Sequence, residues 1–70
     1  MEPVVRFGQN VRAARLARGW TQEDLSEHSG LAVVQVSRVE RGTREVRLTT
    51  LLRLVAALEV APNELLEGLY

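Results

Sequence analysis

The sequence contains no cysteine and no lysine; it has one histidine and only three aromatic residues, Phe7, Trp20 and Tyr70. Without cysteine there is no disulfide, no thiolate zinc site and no thiol nucleophile. A single histidine, His28, does not make a metal cluster, and its acidic neighbours mark it as a surface residue. Ser26, Ser29 and Ser37 have no base and acid to activate them. Glu23 and Asp24 are adjacent, so on a helix they point apart and act as first-turn acids that favour the helix dipole. No catalytic constellation, cofactor site or small-molecule ligand site is evident, and an enzyme is not expected. No apolar run approaches the roughly 18 residues that would span a membrane, and the start of the chain lacks a signal-peptide core. A soluble cytoplasmic protein is the expectation.

Seventy residues make one small domain, numbered 1–70. A chain of this size buries only about 60% of its unfolded surface, so a partner subunit is expected to help stabilise it. The formal charge is zero at pH 7, whereas nucleic-acid-binding domains are usually basic. The distribution answers part of that objection. Residues 1–18 carry four arginines against one acid, and residues 31–47 carry four arginines against two. Residues 19–30 and 48–70 hold the compensating acids. A polyanion is steered by a local patch and not by the sum. The use of arginine for all nine basic residues suits bidentate phosphate and guanine contacts, but genome base composition explains such a bias better.

Apolar residues recurring at three and four positions predict helices, and no strand pattern finds a partner. Val4, Phe7, Val11 and Ala14 mark a first helix over about 4–18, ended by Gly19. Thr21 is a good N-cap for a helix over 22–29. Asp24 stands where a capping box places its acid, and Trp20 and Leu25 stand at hydrophobic-staple positions. Gly30 ends that helix and turns the chain into another over 33–41. The run Leu31–Val36 is rich in valine, but a lone strand has nothing to pair with. Leu48, Leu51, Leu52, Val55 and Leu58 mark a buried helix over 48–58. Pro62 suits the first turn of a last helix over about 62–69. The reading is an all-α, compact five-helix domain. Its second and third helices, joined by a short glycine turn, form a helix-turn-helix over about 21–41.

On a helical projection of residues 32–41, Val36 and Val39 share one side with Ala32. Val34, Ser37, Arg38 and Arg41 fall on the opposite side, with Val33 and Glu40 flanking. An outward face that mixes arginine, serine and valine suits the major groove, where N-terminal helix side chains meet base edges. Arg38 has the geometry for a guanine, and Val33 and Val34 for thymine methyl groups. Gln22, at a helix N-terminus, suits a phosphate, as do Thr21, Arg41, Thr43 and Arg44.

The register of Gln22, Leu25, Gly30, Val36, Val39, Glu40 and Gly42 resembles the lambda-repressor-like (Cro/repressor, XRE-type) helix-turn-helix family. The similarity continues through Leu48, Leu51, Leu52, Leu54, Leu58 and Val60 and back to Phe7, Val11 and Arg15. It covers roughly 55 positions, and the ordered set carries more weight than any single match. The resemblance implies base reading by Val33, Val34, Ser37 and Arg38, and a phosphate contact at Gln22. It also implies an inter-helix ion pair between Arg15 and Glu40, a structural role rather than a contact with a partner. The chain departs from the family where Ala32 replaces a capping Ser or Thr, where Val33 and Val34 replace polar readers, and at Val46 and Arg47.

The implied function is a sequence-specific DNA-binding transcriptional regulator, a repressor or autoregulator. It would act as a homodimer on a two-fold symmetric operator of double-stranded DNA, with its third helix in the major groove. The C-terminal residues Leu65, Leu66, Leu69 and Tyr70 are more apolar than a solvated tail needs, and relatives often dimerise there. Phage repressors, restriction–modification controllers and antitoxins share this length. An antitoxin or adaptor module, with DNA binding secondary, is the alternative that the neutral charge favours.

Overall fold

A computed structural model describes residues 2–70 as five helices in one body. They are α1 (Pro3–Ala17), α2 (Gln22–Ser29), α3 (Val33–Arg41), α4 (Leu48–Leu58) and α5 (Pro62–Leu65). Among the described residues there is no strand, and no helix is long and apolar enough to cross a membrane. α1 packs along α3 and also meets α4 and α5, while α2 packs against both α3 and α4. The core that results contains Phe7, Val11, Leu25, Leu31, Val36, Val39, Leu54, Leu58 and Leu65.

Local chemistry accounts for the helix-turn-helix. Thr21 Oγ1 accepts the Asp24 N–H at 3.1 Å, and Asp24 returns the bond by accepting the Thr21 N–H at 2.9 Å. Hydrogen bonding to the carboxylate by Thr21, through its backbone N–H foremost and then its side chain, holds the Asp24 carboxyl below its ordinary range. Gly30 closes α2 in the left-handed region at φ 76°, with its N–H on the Ser26 carbonyl. Ser26 Oγ then donates to the Leu31 carbonyl at 2.5 Å, so the turn has its own tie. α3 starts on Ala32 without a side-chain cap. Only the return half of a capping box remains, with Gln35 Oε1 accepting the Ala32 N–H at 3.0 Å. Gly42 ends α3 at φ 66°.

Gly8 sets how closely α1 approaches α3. A Cβ there would stand 2.3 Å from the Val39 carbonyl oxygen and 2.7 Å from that of Glu40. Glycine inside a helix costs roughly 1 kcal/mol relative to alanine, and here that cost lets one helix rest directly on the backbone of the other.

The structure corrects three expectations. The last helix has a single turn, ending at Leu65 rather than near 69. The chain then folds back so that Asn10 Nδ2 donates to the Leu65 and Glu67 carbonyls and Arg6 Nε donates to the Glu67 carbonyl. Asn10 thereby occupies the Leu65 carbonyl, the acceptor that the Leu69 N–H would take in a longer helix; that N–H bonds to the Leu66 carbonyl instead. On α4, Leu48 and Leu52 are 69% and 56% exposed. Leu54 and Leu58 are the buried residues, with Leu51 and Val55 half-buried, because only α1 and α2 cover this helix closely. Leu65 is fully buried in the core of its own chain, which removes it from the expected dimer surface.

Candidate nucleic-acid interface

The interface is organised from behind by one ion pair. Arg15, on α1, sends Nε to Glu40 Oε2 at 2.7 Å and Nη2 to Glu40 Oε1 at 3.0 Å, a bidentate contact with both side chains buried. Arg15 Nη1 donates to the Trp20 carbonyl at 2.8 Å, and Gln22 Nε2 donates to Glu40 Oε1 at 3.1 Å. Hydrogen bonding to Glu40 raises the Arg15 guanidinium further above its already high value. The group thus ties α1, the loop before α2, α2 itself and α3 together. No described buried side-chain nitrogen or oxygen lacks a partner.

With Val36, Val39 and Glu40 turned inward, the opposite face of α3 is open. Val33, Val34, Arg38 and Arg41 are exposed on it, and Ser37 is half-buried. Arg41 Nε folds back to the Ser37 carbonyl at 3.4 Å, a long bond that leaves the remaining guanidinium N–H groups available. Thr43 caps the end of α3, with Oγ1 donating to the Arg38 carbonyl at 3.4 Å. Both bonds are long, and of the expected phosphate groups at the end of α3 and just after it, Arg41 and Arg44 are exposed and carry the charge. At the start of α2 the exposed Thr21 hydroxyl accepts the Asp24 N–H. The Gln22 amide is bound to Glu40, so a phosphate contact there would come through the backbone N–H groups of the first turn or at the expense of that bond.

Two residues join this surface that sequence reasoning left out of the site. Arg38 and Arg44 line a cleft of about 340 Å³ together with Gln35, Glu45, Arg47 and Thr50. Arg47 and Thr50 thus bring the start of α4 to the same region. The sequence marks Arg47 only as a departure from the family pattern, and no side chain caps α4. Because Glu40 is consumed by Arg15, Glu45 is the one exposed acid alongside Arg38, Arg41, Arg44 and Arg47. The local surface is more basic than the segment's formal charge. Elsewhere Trp20 stacks on His28 at 4.2 Å, with the Arg18 guanidinium 4.5 Å from the Trp20 ring.

A capped positioning helix, a tight turn and an outward arginine-bearing helix define a helix-turn-helix DNA-binding domain. The Helix-turn-helix family profile matches residues 11–65, and the chain belongs to that family. The solved restriction–modification controller protein C.AhdI from Aeromonas hydrophila shares 47% identity and a TM-score of 0.85, covering 89% of this chain and 94% of that one. The control protein C.BamHI of Bacillus amyloliquefaciens is 40% identical over 62 residues, 87% of this chain and 76% of its own length. A hypothetical transcription factor of Neisseria meningitidis is 40% identical over 57 residues, 81% of this chain; the match spans 54% of that protein.

Removing Glu40 leaves a buried guanidinium without its partner, and Glu40→Ala is expected to cost about 3–5 kcal/mol. Thermal unfolding followed by circular dichroism checks this, and a wild-type midpoint would mean that the pair does not hold the fold.

Proposed function

We propose that the chain is a sequence-specific transcriptional regulator, a repressor or autoregulator that binds a two-fold symmetric operator as a homodimer with α3 in the major groove. The observation that carries the reading is the exposed face of α3, with Val33, Val34, Ser37 and Arg38 presented by a helix locked from behind. Arg38 suits the bidentate guanine contact. Thr21, the first-turn N–H groups at Gln22, Arg41 and Arg44 suit phosphates, which fix register without reading sequence, and Arg47 extends that set. Thr43 serves the end of α3 first. The relatives named as controllers and as a transcription factor support the same role. Regulation by occupancy follows: a bound dimer over a promoter blocks polymerase, and one beside it recruits polymerase.

A second copy is the occupant proposed for the apolar side of α4. Leu48 and Leu52 are exposed there, and Leu51 connects them to a groove of about 160 Å³ lined also by Val4, Phe7, Val46, Leu66 and Leu69. Leu66 and Leu69 remain from the expected C-terminal surface, with the exposed Tyr70 beyond them. One monomer this small meets one half-site, and two copies about one helical turn (~34 Å) apart meet both. The same groove is the best support for the alternative, an antitoxin or adaptor that grips another protein. Salt separates the two readings, since several phosphate contacts lose orders of magnitude in affinity between about 50 and 200 mM salt.

Selection from a random DNA pool is expected to return one preferred sequence. Arg38→Ala should then weaken binding by about 1–3 kcal/mol and relax preference at one base position. A uniform loss across all sequences would reassign Arg38 to the backbone. Leu52→Glu is expected to leave the helical melt intact while sedimentation shifts from dimer to monomer at micromolar concentration; a wild-type chain that sediments as a monomer with and without operator would refute the dimer.

A further inference from the structure

The outermost side chains in the first turn of α3 are apolar. Val33 and Val34 stand at its outer surface, 41% and 50% exposed. Gln35, the next residue, is exposed to one side of them, toward the cleft that it shares with Arg38 and Arg44. Its Oε1 holds the Ala32 N–H at 3.0 Å, and the residue lines the clefts that face α4. The hydroxyl that follows on the outer face, Ser37, is half-buried. Charge enters only with Arg38. Gln35 commits its Oε1 to the Ala32 N–H, the half of a capping box that remains where Ala32 supplies no side-chain cap.

Apolar side chains discriminate bases by apolar contact. The apolar substituent that a base edge presents in the major groove is the C5 methyl of thymine. Cytosine carries a hydrogen at the same carbon, and 5-methylcytosine restores the methyl there. We propose that Val33 and Val34 form a reader of pyrimidine C5 methyl groups. The bases beneath the tip of α3 are then chosen for that methyl, and cytosine methylation at those positions strengthens binding. The inference rests on the major-groove reading proposed above and names the chemical group that two of its residues recognise.

The test uses the full chain and duplexes carrying the sequence selected from a random pool, with affinity read from the anisotropy of labelled DNA. Replacing thymine by deoxyuridine one position at a time removes only the methyl. At the positions under α3, each replacement should weaken binding about fourfold, the worth of one methyl-sized group taken out of water. Where thymine is exchanged for cytosine, 5-methylcytosine should bind about fourfold more tightly than cytosine itself. In the double variant Val33→Ala/Val34→Ala, both ratios should fall to near one. Alanine is a better helix former than valine, and a circular dichroism melt confirms that the variant is folded.

Equal affinity for thymine and deoxyuridine throughout a selected sequence would overturn the methyl reader while leaving the regulator standing. A methyl preference that survives in the double variant would also overturn it, by assigning the contact to other residues. A pool that returns no preferred sequence would overturn sequence reading itself, and the methyl reader with it.

Discussion

The buried bidentate contact between Arg15 and Glu40 is the constraint on which the rest of the structure depends. Both side chains are largely withdrawn from water, so each would be costly alone, and together they are acceptable only because the remaining hydrogen-bonding groups are also met. Trp20 supplies one acceptor and Gln22 one donor. Apolar packing of Val36 and Val39 holds α3 against the core, but such packing is non-directional and does little to set the roll of a helix about its axis. Two parallel N–H···O bonds do set it. The pair therefore fixes α3 in the orientation that its apolar stripe of Val36 and Val39 favours. Gly8 cooperates by letting α1 come close enough for Arg15 to reach.

Burying Glu40 has a second consequence. It removes an acid from the surface that carries Arg38, Arg41, Arg44 and Arg47, so a chain with no net charge still presents a basic face. The same residue thus serves the core and the electrostatics of the interface. Gln22 links the two further. Its amide rests on Glu40, and its backbone opens α2 where a phosphate would lie, which puts backbone positioning and the orientation of the reading helix in one hydrogen-bonded group.

Much of this was legible in the residues. The bounds of α2, α3 and α4 follow from strong local signals: the Thr21–Asp24 box, the left-handed glycines at 30 and 42, and apolar periodicity. The Arg15–Glu40 pair was expected only through the family resemblance, because residues so far apart in sequence announce no contact. Three features escaped for physical reasons. The apolar stripe of α4 shows that leucines share a side but not how far neighbouring helices cover it, so Leu48 and Leu52 were taken as buried. The end of α5 is set by Arg6 and Asn10 capturing carbonyls from a distant helix, a tertiary bond with no local trace. Gly8 looks from sequence like a mild helix defect, and its role appears only when Val39 lies above it. At the interface, the outward set of α3 was readable from the helical period. The diversion of Gln35 to cap Ala32, and the arrival of Arg47 and Thr50 from α4, required the fold.

The central claim is that directional bonds between Arg15 and Glu40, beyond their contribution to stability, hold α3 in its reading orientation. The double variant Arg15→Met/Glu40→Leu separates the two, since replacing a buried ion pair by apolar residues of similar volume is often neutral or stabilising. The decisive measurement is its affinity for the selected operator at a temperature where both proteins are folded. The account predicts a melting temperature near that of the wild type together with a loss of at least about tenfold in affinity, which corresponds to about 1.4 kcal/mol. A folded double variant that binds the operator as tightly as the wild type would contradict it.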